Sequence, residues 1–314
     1  MRVIDADTVK ALAPMPRLID CLEQAFKRRW FVPERQTTEL PGASGRLLLS
    51  MPAFDSEGCG AVKLVTLFPD NASRSVPTIR SVIVAFSETG MPIAVLDGTF
   101  VTKLRTGATS ALASRYLSRL DSANLLIMGT GALAPYMALA HSSIRPLRRI
   151  TVWGRNPPAV ARTVGEIKGL VETADVRGAV SAEAATAEAD IVSCATSTVA
   201  PILLGKWLKP GTFVDLVGSF SPTKREADDD VMLRSRIFVD TRQGALSEAG
   251  DLLSPILRGV IGKERVEGEL SDLISGRVVG RKSTDELIVF KSVGSAMEDL
   301  VTVQMVLGGE KLGP

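Results

Sequence analysis

Residues 124–134 have the sequence NLLIMGTGALA, an apolar run followed by two closely spaced glycines. The run from Asn124 to Met128 predicts a β-strand, and the stretch from Ala132 to Ser142 predicts a helix. Arg149 to Trp153 has the composition of a second strand. Because strands that alternate with helices are typical of parallel sheets, this stretch decides the fold class of its domain.

The same alternation continues toward the C-terminus. Helices are predicted at 158–168 and 182–189, and further strands at 190–194, 212–217 and 236–240. Five or more such strands form a doubly wound parallel sheet. The sequence therefore predicts an α/β fold with a Rossmann domain over residues 118–290.

The residues before this domain have a different pattern. Short runs rich in Leu, Val and Ile occur at 46–50, 60–66, 81–86 and 92–96, with turn residues between some of them. They predict a strand-rich, antiparallel α+β unit. The helical periodicity of the last apolar segment predicts a helix that packs back on this unit, so residues 1–117 and 291–314 form the predicted second domain.

The glycines form a GxGxxA turn made by Gly129, Gly131 and Ala134. The first glycine permits a tight turn, the second lets the backbone approach a pyrophosphate, and the following helix N-terminus offers oriented N–H donors. Since the flanking strand and helix agree with the motif, the turn predicts a bound dinucleotide.

The end of the second strand indicates which dinucleotide is preferred. It carries Gly154, Arg155 and Asn156, without an acidic residue to accept hydrogen bonds from ribose hydroxyls. An arginine suits a 2′-phosphate, so NADP(H) is favoured over NAD(H), and the alternative is that Arg155 is a solvated loop cation. The loops Thr196–Thr198 and Gly218–Phe220 follow two other strands and are predicted to contact the cofactor.

Composition excludes several classes of function. A formal net charge of +2, with the cations scattered, argues against a nucleic-acid partner. The chain has no apolar run long enough to cross a membrane and begins without a secretory signal, so we expect a cytoplasmic protein. His141 is the only histidine, and Cys21, Cys59 and Cys194 lie far apart, so no metal site is expected.

Motifs along nearly the whole chain resemble those of the ornithine cyclodeaminase/mu-crystallin family. They are Met51–Phe54, Val62–Thr66, Leu96–Thr106, the GxGxxA turn, Pro222–Asp229 and Phe290–Gly294. The resemblance implies a nicotinamide-dependent oxidoreductase that acts on a small amino or imino acid, and a homodimer joined through the strand-rich domains. The strand-rich region is then the predicted substrate-binding and dimerisation domain.

The resemblance assigns Arg35, Lys63 and Arg105 to the substrate pocket as catalytic residues. Arginine can hold a carboxylate in bidentate geometry and so fix which face of the reacting carbon meets the hydride. Lys63 lies in an apolar strand, where a lone ammonium is costly unless it meets an anion or water. The alternative is that Lys63 points to solvent from the polar face of its strand.

The resemblance also implies a set of cofactor contacts. Arg155 and Asn156 match residues that hold the 2′-phosphate in family members that bind NADPH. The full set is Thr78, Arg105, Thr106, Gly129, Gly131, Ala132, Leu133, Arg155, Asn156, Thr196, Ser197, Thr198, Val217, Ser219 and Ser292.

One departure from the family pattern bears on the reaction. Cyclodeaminases carry an aspartate in the loop after the fifth strand, and Phe220 stands at that position here, where it is predicted to line the substrate site. A phenyl ring cannot transfer protons. We therefore expect hydride transfer to a cyclic imine, delta-1-pyrroline-2-carboxylate or its piperideine homologue, with proline or pipecolate as product.

Other family activities stay open at this point. They are ornithine cyclodeamination, another amino-acid dehydrogenation such as that of alanine, and hydroxyproline dehydration. A non-enzymatic alternative is a cofactor-bound ligand carrier like mu-crystallin, in which turnover would be absent.

Overall fold

A computed structural model describes residues 1–42, 45–74 and 76–308. Its strands, in chain order, are β1 Arg2–Ile4, β2 Gln36–Glu39, β3 Leu47–Phe54, β4 Gly60–Leu67, β5 Ile79–Phe86, β6 Pro92–Asp97, β7 Asn124–Met128, β8 Arg149–Trp153, β9 Asp175–Ala179, β10 Ile191–Cys194, β11 Phe213–Leu216, β12 Arg236–Val239, β13 Val266–Glu269 and β14 Ile288–Lys291.

The helices connect and flank these strands. In chain order they are α1 Ala6–Leu12, α2 Met15–Ala25, α3 Gly98–Leu117, α4 Ala134–Ser142, α5 Pro157–Lys168, α6 Ala182–Glu188, α7 Asp229–Arg234, α8 Arg242–Glu248, α9 Gly250–Leu257, α10 Leu270–Ile274 and α11 Ala296–Val306.

The chain divides into two compact units. The first unit comprises Met1–Arg105 and the segment from Ser295 onward, and the second unit comprises Thr106–Gly294. The division falls inside α3, whereas the predicted boundary follows residue 117. The second half of α3 packs within the second unit. The approach is so close at Gly107 that a Cβ there would lie 2.7 Å from the Tyr136 carbonyl oxygen. The roles of the two domains stay predictions.

The first unit is built on a strand-rich sheet of order β1-β6-β5-β4-β3-β2, in which all neighbours except β1 and β6 are antiparallel. Helix α2 buries Leu18, Ile19 and Leu22, which lie on one face at helical spacing. Helix α11 packs against α2, β3 and β4. The predicted antiparallel unit and the predicted return of the last helix are both confirmed.

Strand β4 has an inverted pattern of polarity. Lys63 is 2% exposed and faces the interior, whereas its neighbour Leu64 is 36% exposed. In the strand pairing, Lys63 lies opposite the buried Ile83, and Leu64 lies opposite the exposed Val82. Successive side chains of a strand point to opposite faces, so the charge lies on the core face. The alternative interpretation, in which Lys63 faces solvent, is wrong.

The second unit contains, within the described residues, a parallel sheet of order β13-β12-β14-β11-β10-β7-β8-β9. Residues Leu125 to Met128 of β7 are at most 1% exposed, as expected for a strand covered on both faces. The chain leaves β7 toward β8 on one side and reaches β10 on the other, so the strand order reverses at β7. The predicted Rossmann fold is confirmed.

Three further features concern the described residues only. None of their helices combines the length and apolar character needed to cross a membrane. Their His, Cys, Asp and Glu side chains form no cluster of three that could hold a metal ion. The three cysteines are free thiols, and Cys59 and Cys194 are buried.

Candidate functional site

The GxGxxA turn has the backbone geometry that a close-bound pyrophosphate requires. Gly129 has φ +122°, and a Cβ there would meet the Thr196 Cγ2 atom at 2.8 Å and the Ala195 carbonyl oxygen at 2.9 Å. Helix α4 begins at Ala134 without a side-chain cap on its first amides. Gly131 and Ala132 are exposed. The Ala134 and Tyr136 amides donate to the carbonyls of Gly131 and Leu133, and Pro135 has no N–H, so the part of this site that fits a dinucleotide phosphate is the exposed glycine turn before the helix.

The end of β8 lies beside this turn. A Cβ on Gly154 would meet the Thr130 Cγ2 atom at 2.8 Å, so the two loops are in close contact. Arg155 is exposed, as a 2′-phosphate contact requires. Asn156 caps helix α5, because its Oδ1 accepts a hydrogen bond of 3.3 Å from the Ala159 amide. The Asn156 side chain therefore has a structural role that the sequence pattern did not indicate.

The loops after β10 and β11 meet at the same edge of the sheet. A Cβ on Gly218 would come within 1.8 Å of the Thr196 carbonyl oxygen, so only glycine fits there. Both loops are also bound by one side chain that the sequence interpretation missed, Glu226, which accepts hydrogen bonds from Thr196 and Gly218. The carboxyl ends of parallel strands at a reversal of strand order are where open α/β sheets bind ligands.

The other residues predicted around these loops have mixed surroundings. Val217 and Ser292 are buried, and their amides donate to the carbonyls of Cys194 and Leu216. The Ser219 hydroxyl donates to the Lys224 carbonyl and is not exposed. Ser197 is exposed, and the Thr198 hydroxyl donates to the Ala200 carbonyl. Thr106 is buried in α3. Leu133 is the residue before α4.

Phe220 is packed rather than open. Its ring lies against the hydrophobic core of the second unit, and the Lys224 ammonium lies 5.0 Å from the ring centroid. A cation over an aromatic face is attracted by the ring quadrupole. A contact between Phe220 and a substrate stays a prediction.

The cations of the first unit form a buried cluster with two acids from α11. Lys63 Nζ lies 2.6 Å from Asp299 Oδ2, and both side chains are 2% exposed. Arg105 Nε lies 3.0 Å from Asp299 Oδ1, and its Nη1 lies 2.9 Å from Glu298 Oε2. Sequence analysis missed both acids, although two adjacent acids in a helix that is otherwise largely apolar are a detectable signal.

These contacts set the ionisation of the cluster. Burial lowers the pKa of Lys63 to about 8, and the Asp299 carboxylate opposes that effect. Burial alone would lower the pKa of Arg105, but Asp299 and Glu298 raise it above its ordinary value. Arg35 is partly exposed and close enough to Lys63 to lower the pKa of that lysine. The structure therefore brings Arg35, Lys63 and Arg105 together.

The expected bidentate role of Arg105 is restricted by this arrangement. Two of its three guanidinium nitrogens already bind carboxylates, which leaves Nη2 for another partner. Thr78, the remaining predicted contact in this unit, is partly exposed just before β5, and its carbonyl accepts from the Phe68 amide at 2.8 Å.

His141 belongs to a closed polar group in the second unit. It is fully buried, and its Nε2 lies 3.4 Å from Asp215 Oδ2, which also accepts from the Ser193 hydroxyl at 2.8 Å. Ser110 donates to the other oxygen of Asp215 at 3.0 Å. These residues resemble a Ser-His-Asp set, but all are buried in the core, which indicates a packing role for His141.

Comparison with known proteins identifies related chains. The profile of the ornithine cyclodeaminase/mu-crystallin family matches residues 2–310. A Delta(1)-pyrroline-2-carboxylate reductase of Colwellia psychrerythraea is 37% identical over 317 residues, which cover 99% of both chains.

Two solved structures are similar over almost the whole chain. The Delta(1)-pyrroline-2-carboxylate reductase of Thermococcus litoralis, in complex with NADH and L-proline, has a TM-score of 0.93 and 32% identity, and the match covers 98% of this chain and 96% of the other. An archaeal alanine dehydrogenase dimer with bound NAD has a TM-score of 0.90 and 26% identity, with 98% and 94% covered.

Proposed function

Because the chain belongs to the ornithine cyclodeaminase/mu-crystallin family, we propose that it reduces a small cyclic ketimine carboxylate with NAD(P)H. The substrate is delta-1-pyrroline-2-carboxylate or its piperideine homologue, and the product is L-proline or L-pipecolate. Relatives named as reductases of this substrate support the assignment, as does the similar structure with NADH and L-proline. The observation that carries the proposal is the buried Lys63 beside Arg105 and Asp299.

The charge balance of the first unit suits one carboxylate. The buried cations Lys63 and Arg105 face the two carboxylates of Asp299 and Glu298, and Arg35 adds a third cation beside Lys63. Arg35 is partly exposed, and water screens the attraction between a partly buried cation and an anion less than it screens an exposed pair. The substrate carboxylate is the anion proposed here.

Lys63 is also the proposed proton donor. Because its pKa is near 8, Lys63 is mostly protonated at neutral pH. Its ammonium group nevertheless releases a proton more readily than that of an exposed lysine. When bound, the reduced nicotinamide supplies the hydride that reduces the imine carbon. The imine nitrogen takes a proton from Lys63, and the C=N double bond becomes the C–N single bond of the cyclic amino acid. Solvent then restores the ammonium.

The loop after β11 favours reduction over ammonia release. Phe220 stands where cyclodeaminases carry their aspartate, and its ring packs on the core. Asp215 is in β11, fully buried, and accepts hydrogen bonds from Ser110 and Ser193. A buried acid held in this way is unsuited to exchange protons with a substrate.

The proposed cofactor is NADP(H), with NAD(H) as the less preferred form. The exposed glycine turn at Gly129, which leads into α4, fits a dinucleotide, and the exposed Arg155 fits a 2′-phosphate. The similar structures that contain a cofactor hold NADH or NAD, so the preference for NADP(H) rests on Arg155.

We further propose a homodimer formed through the sheet of the first unit. Leu64 and Val82 are directly opposite each other on neighbouring strands, point to the same face of the sheet and are 36% and 37% exposed. Exposed apolar side chains on one sheet face are typical of an interface. The substitution Leu64→Glu should yield monomers in size-exclusion chromatography, whereas Val199→Glu, an exposed site in the second unit, should leave the dimer intact.

The central experiment is a turnover assay. Purified protein, reduced cofactor and either imine should give cofactor oxidation and L-proline or L-pipecolate. The variant Lys63→Met should bind cofactor normally but reduce the imine at least about a hundredfold more slowly. Ammonia release from L-ornithine without imine reduction would assign cyclodeamination instead. Cofactor binding without any turnover would favour a ligand carrier.

A further inference from the structure

Glu226 lies under the two loops that follow β10 and β11. Its carboxylate is completely buried, and its Oε1 accepts hydrogen bonds from the Thr196 amide at 2.6 Å and the Thr196 hydroxyl at 2.8 Å. Its Oε2 accepts from the Gly218 amide at 2.7 Å. One side chain thus satisfies donors from two loops of different strands.

The segment that carries Glu226 is itself fixed from below. The amides of Glu226 and Ala227 both donate to Asp251 Oδ1, at 2.8 and 3.1 Å. The Lys291 ammonium lies 3.4 Å from Asp251 Oδ2, and both residues are fully buried. At the start of α9, a Cβ on Gly250 would come within 2.1 Å of the Lys224 carbonyl oxygen. The loop after β11 is therefore held against α9 and β14.

The protonation state of Glu226 decides whether all three donors are satisfied. An ionised carboxylate accepts at both oxygens, whereas a protonated one carries an O–H that would face an N–H donor. Burial raises the pKa of Glu226 to about 7, and Lys291 opposes that effect. The charged and titratable groups that face it include Lys291 on β14, Asp251 on α9, the Cys194 thiol on β10 and Lys224 in the loop after β11.

We propose that Glu226 is a positioning residue for the dinucleotide, which holds the Thr196 and Gly218 loops at the spacing that the bound cofactor needs. The inference rests on the proposed function, because the spacing of these loops matters for activity only if the cofactor lies against them. Glu226 acts through Thr196 and Gly218 and need not contact the cofactor itself.

The test is the substitution Glu226→Gln in the full chain. The glutamine amide group must face one of the donors, so one loop loses its hydrogen bond. We expect the Kd for NADH to rise about tenfold, the equivalent of one lost hydrogen bond to a charged group, with a matching rise in the KM for cofactor. The KM for the imine should change little, since the imine is assigned to Lys63 and its neighbours.

Asp190→Asn is the matched control. Asp190 Oδ2 also accepts two amides, from Ala123 and Asn124 at 2.9 Å each, but it lies at the amino ends of β7 and β10. The control should lower the melting temperature and leave the Kd for NADH within about twofold of wild type. Equal loss of affinity in both variants, in proportion to lost stability, would overturn the proposal.

The dependence of NADH affinity on pH is a second measurement, and it requires no variant. Ionised Glu226 predominates above its pKa of about 7, so the affinity of the wild type should fall as the pH drops from about 8 to 6. A wild-type profile that is flat over this range would also overturn the proposal. If the wild-type protein binds neither NADH nor NADPH, the proposed function fails instead, and the two failures are distinguished.

Discussion

The ammonium of Lys63 and the carboxylate of Asp299 form an ion pair of 2.6 Å, and each side chain is only 2% exposed. Lys63 belongs to β4 and Asp299 to α11, so the pair joins distant parts of the chain within the first unit. The carboxylate stabilises a charge that burial alone would disfavour. The acid–base behaviour of Lys63 therefore depends on a helix at the other end of the sequence.

Removal of this carboxylate should change the pH dependence of the reaction. In Asp299→Asn the ammonium loses its negative partner, so the pKa of Lys63 falls below its present value of about 8. Lys63 then loses its proton at lower pH, and the basic limb of kcat/KM for imine reduction moves down by about one pH unit or more. The measurement is the pH profile of imine reduction at saturating cofactor.

Glu298→Gln is the control for this experiment. Glu298 contacts Arg105 Nη1 at 2.9 Å and is not among the principal groups that shift the pKa of Lys63. Its basic limb should stay near the wild-type position. An unchanged limb in Asp299→Asn would remove Lys63 from the role of proton donor.

The glycine turn gives a second prediction. Gly129→Ala places a Cβ 2.8 Å from the Thr196 Cγ2 atom and 2.9 Å from the Ala195 carbonyl, at a φ of +122° that alanine rarely adopts. We expect a lower melting temperature and a rise of at least about tenfold in the Kd for NADPH, because both loops must shift. Calorimetric titration measures the affinity.

Gly165→Ala is the matched substitution. Gly165 is exposed in α5, and a Cβ there would meet nothing within 4 Å. This variant should be more stable by about 0.5 to 1 kcal/mol, with the Kd unchanged. If the two variants have the same Kd for NADPH, the backbone geometry at Gly129 does not contribute to cofactor binding.

The preference between the two cofactors gives a third prediction. Arg155→Gln removes an exposed cation at the end of β8, so the ratio of kcat/KM for NADPH to that for NADH should fall about tenfold. Kinetics with each cofactor in turn provide the ratio. Arg162→Gln, an exposed cation on α5, should leave the ratio as it is. A ratio that does not respond to Arg155 would assign that residue to the solvated loop.

The sequence indicated those parts of the fold whose local pattern agrees with their surroundings. The segment Asn124–Met128 was predicted with its observed bounds because all its core positions are apolar. Strands β9, β13 and β14 were missed: β9 is a mostly exposed edge strand with Arg177 and Gly178, and β13 contains two glutamates and a glycine, whereas β14 is a short, buried central strand. Edge strands lack the apolar pattern that identifies central ones.

Those residues of the candidate site that belong to a sequence motif could be predicted from the sequence. The glycine turn and the cations Arg35, Lys63 and Arg105 belong to this class. Asp299 and Glu226 were missed because they act through partners that are close only in the folded chain, Lys63 in the first unit and Gly218 in the second. The spacing of residues in a single sequence does not indicate that either acid contacts its partner.

The last prediction concerns the stability of the second unit. Arg145 is 7% exposed, and its Nη2 donates to the carbonyls of Ser114, Arg115 and Ser118 at 2.9, 2.9 and 3.2 Å, while its Nε donates to the Ser118 hydroxyl at 2.8 Å. The guanidinium thus binds carbonyls at and just beyond the C-terminal end of α3, where intrahelical donors run out, although the Ser114 carbonyl also accepts from the Ser118 amide at 2.9 Å. Arg145→Met should remove these buried hydrogen bonds and lower the free energy of unfolding by about 2 to 4 kcal/mol. Arg145→Lys should recover only part of this stability, because an ammonium cannot reproduce the planar fork.

Arg162→Ala, which removes an exposed pair with Glu166 at 3.9 Å, should change the free energy of unfolding by less than about 0.5 kcal/mol. Urea unfolding followed by circular dichroism compares the three variants, and a loss in Arg145→Met no larger than that in Arg162→Ala would show that water replaces the guanidinium without penalty.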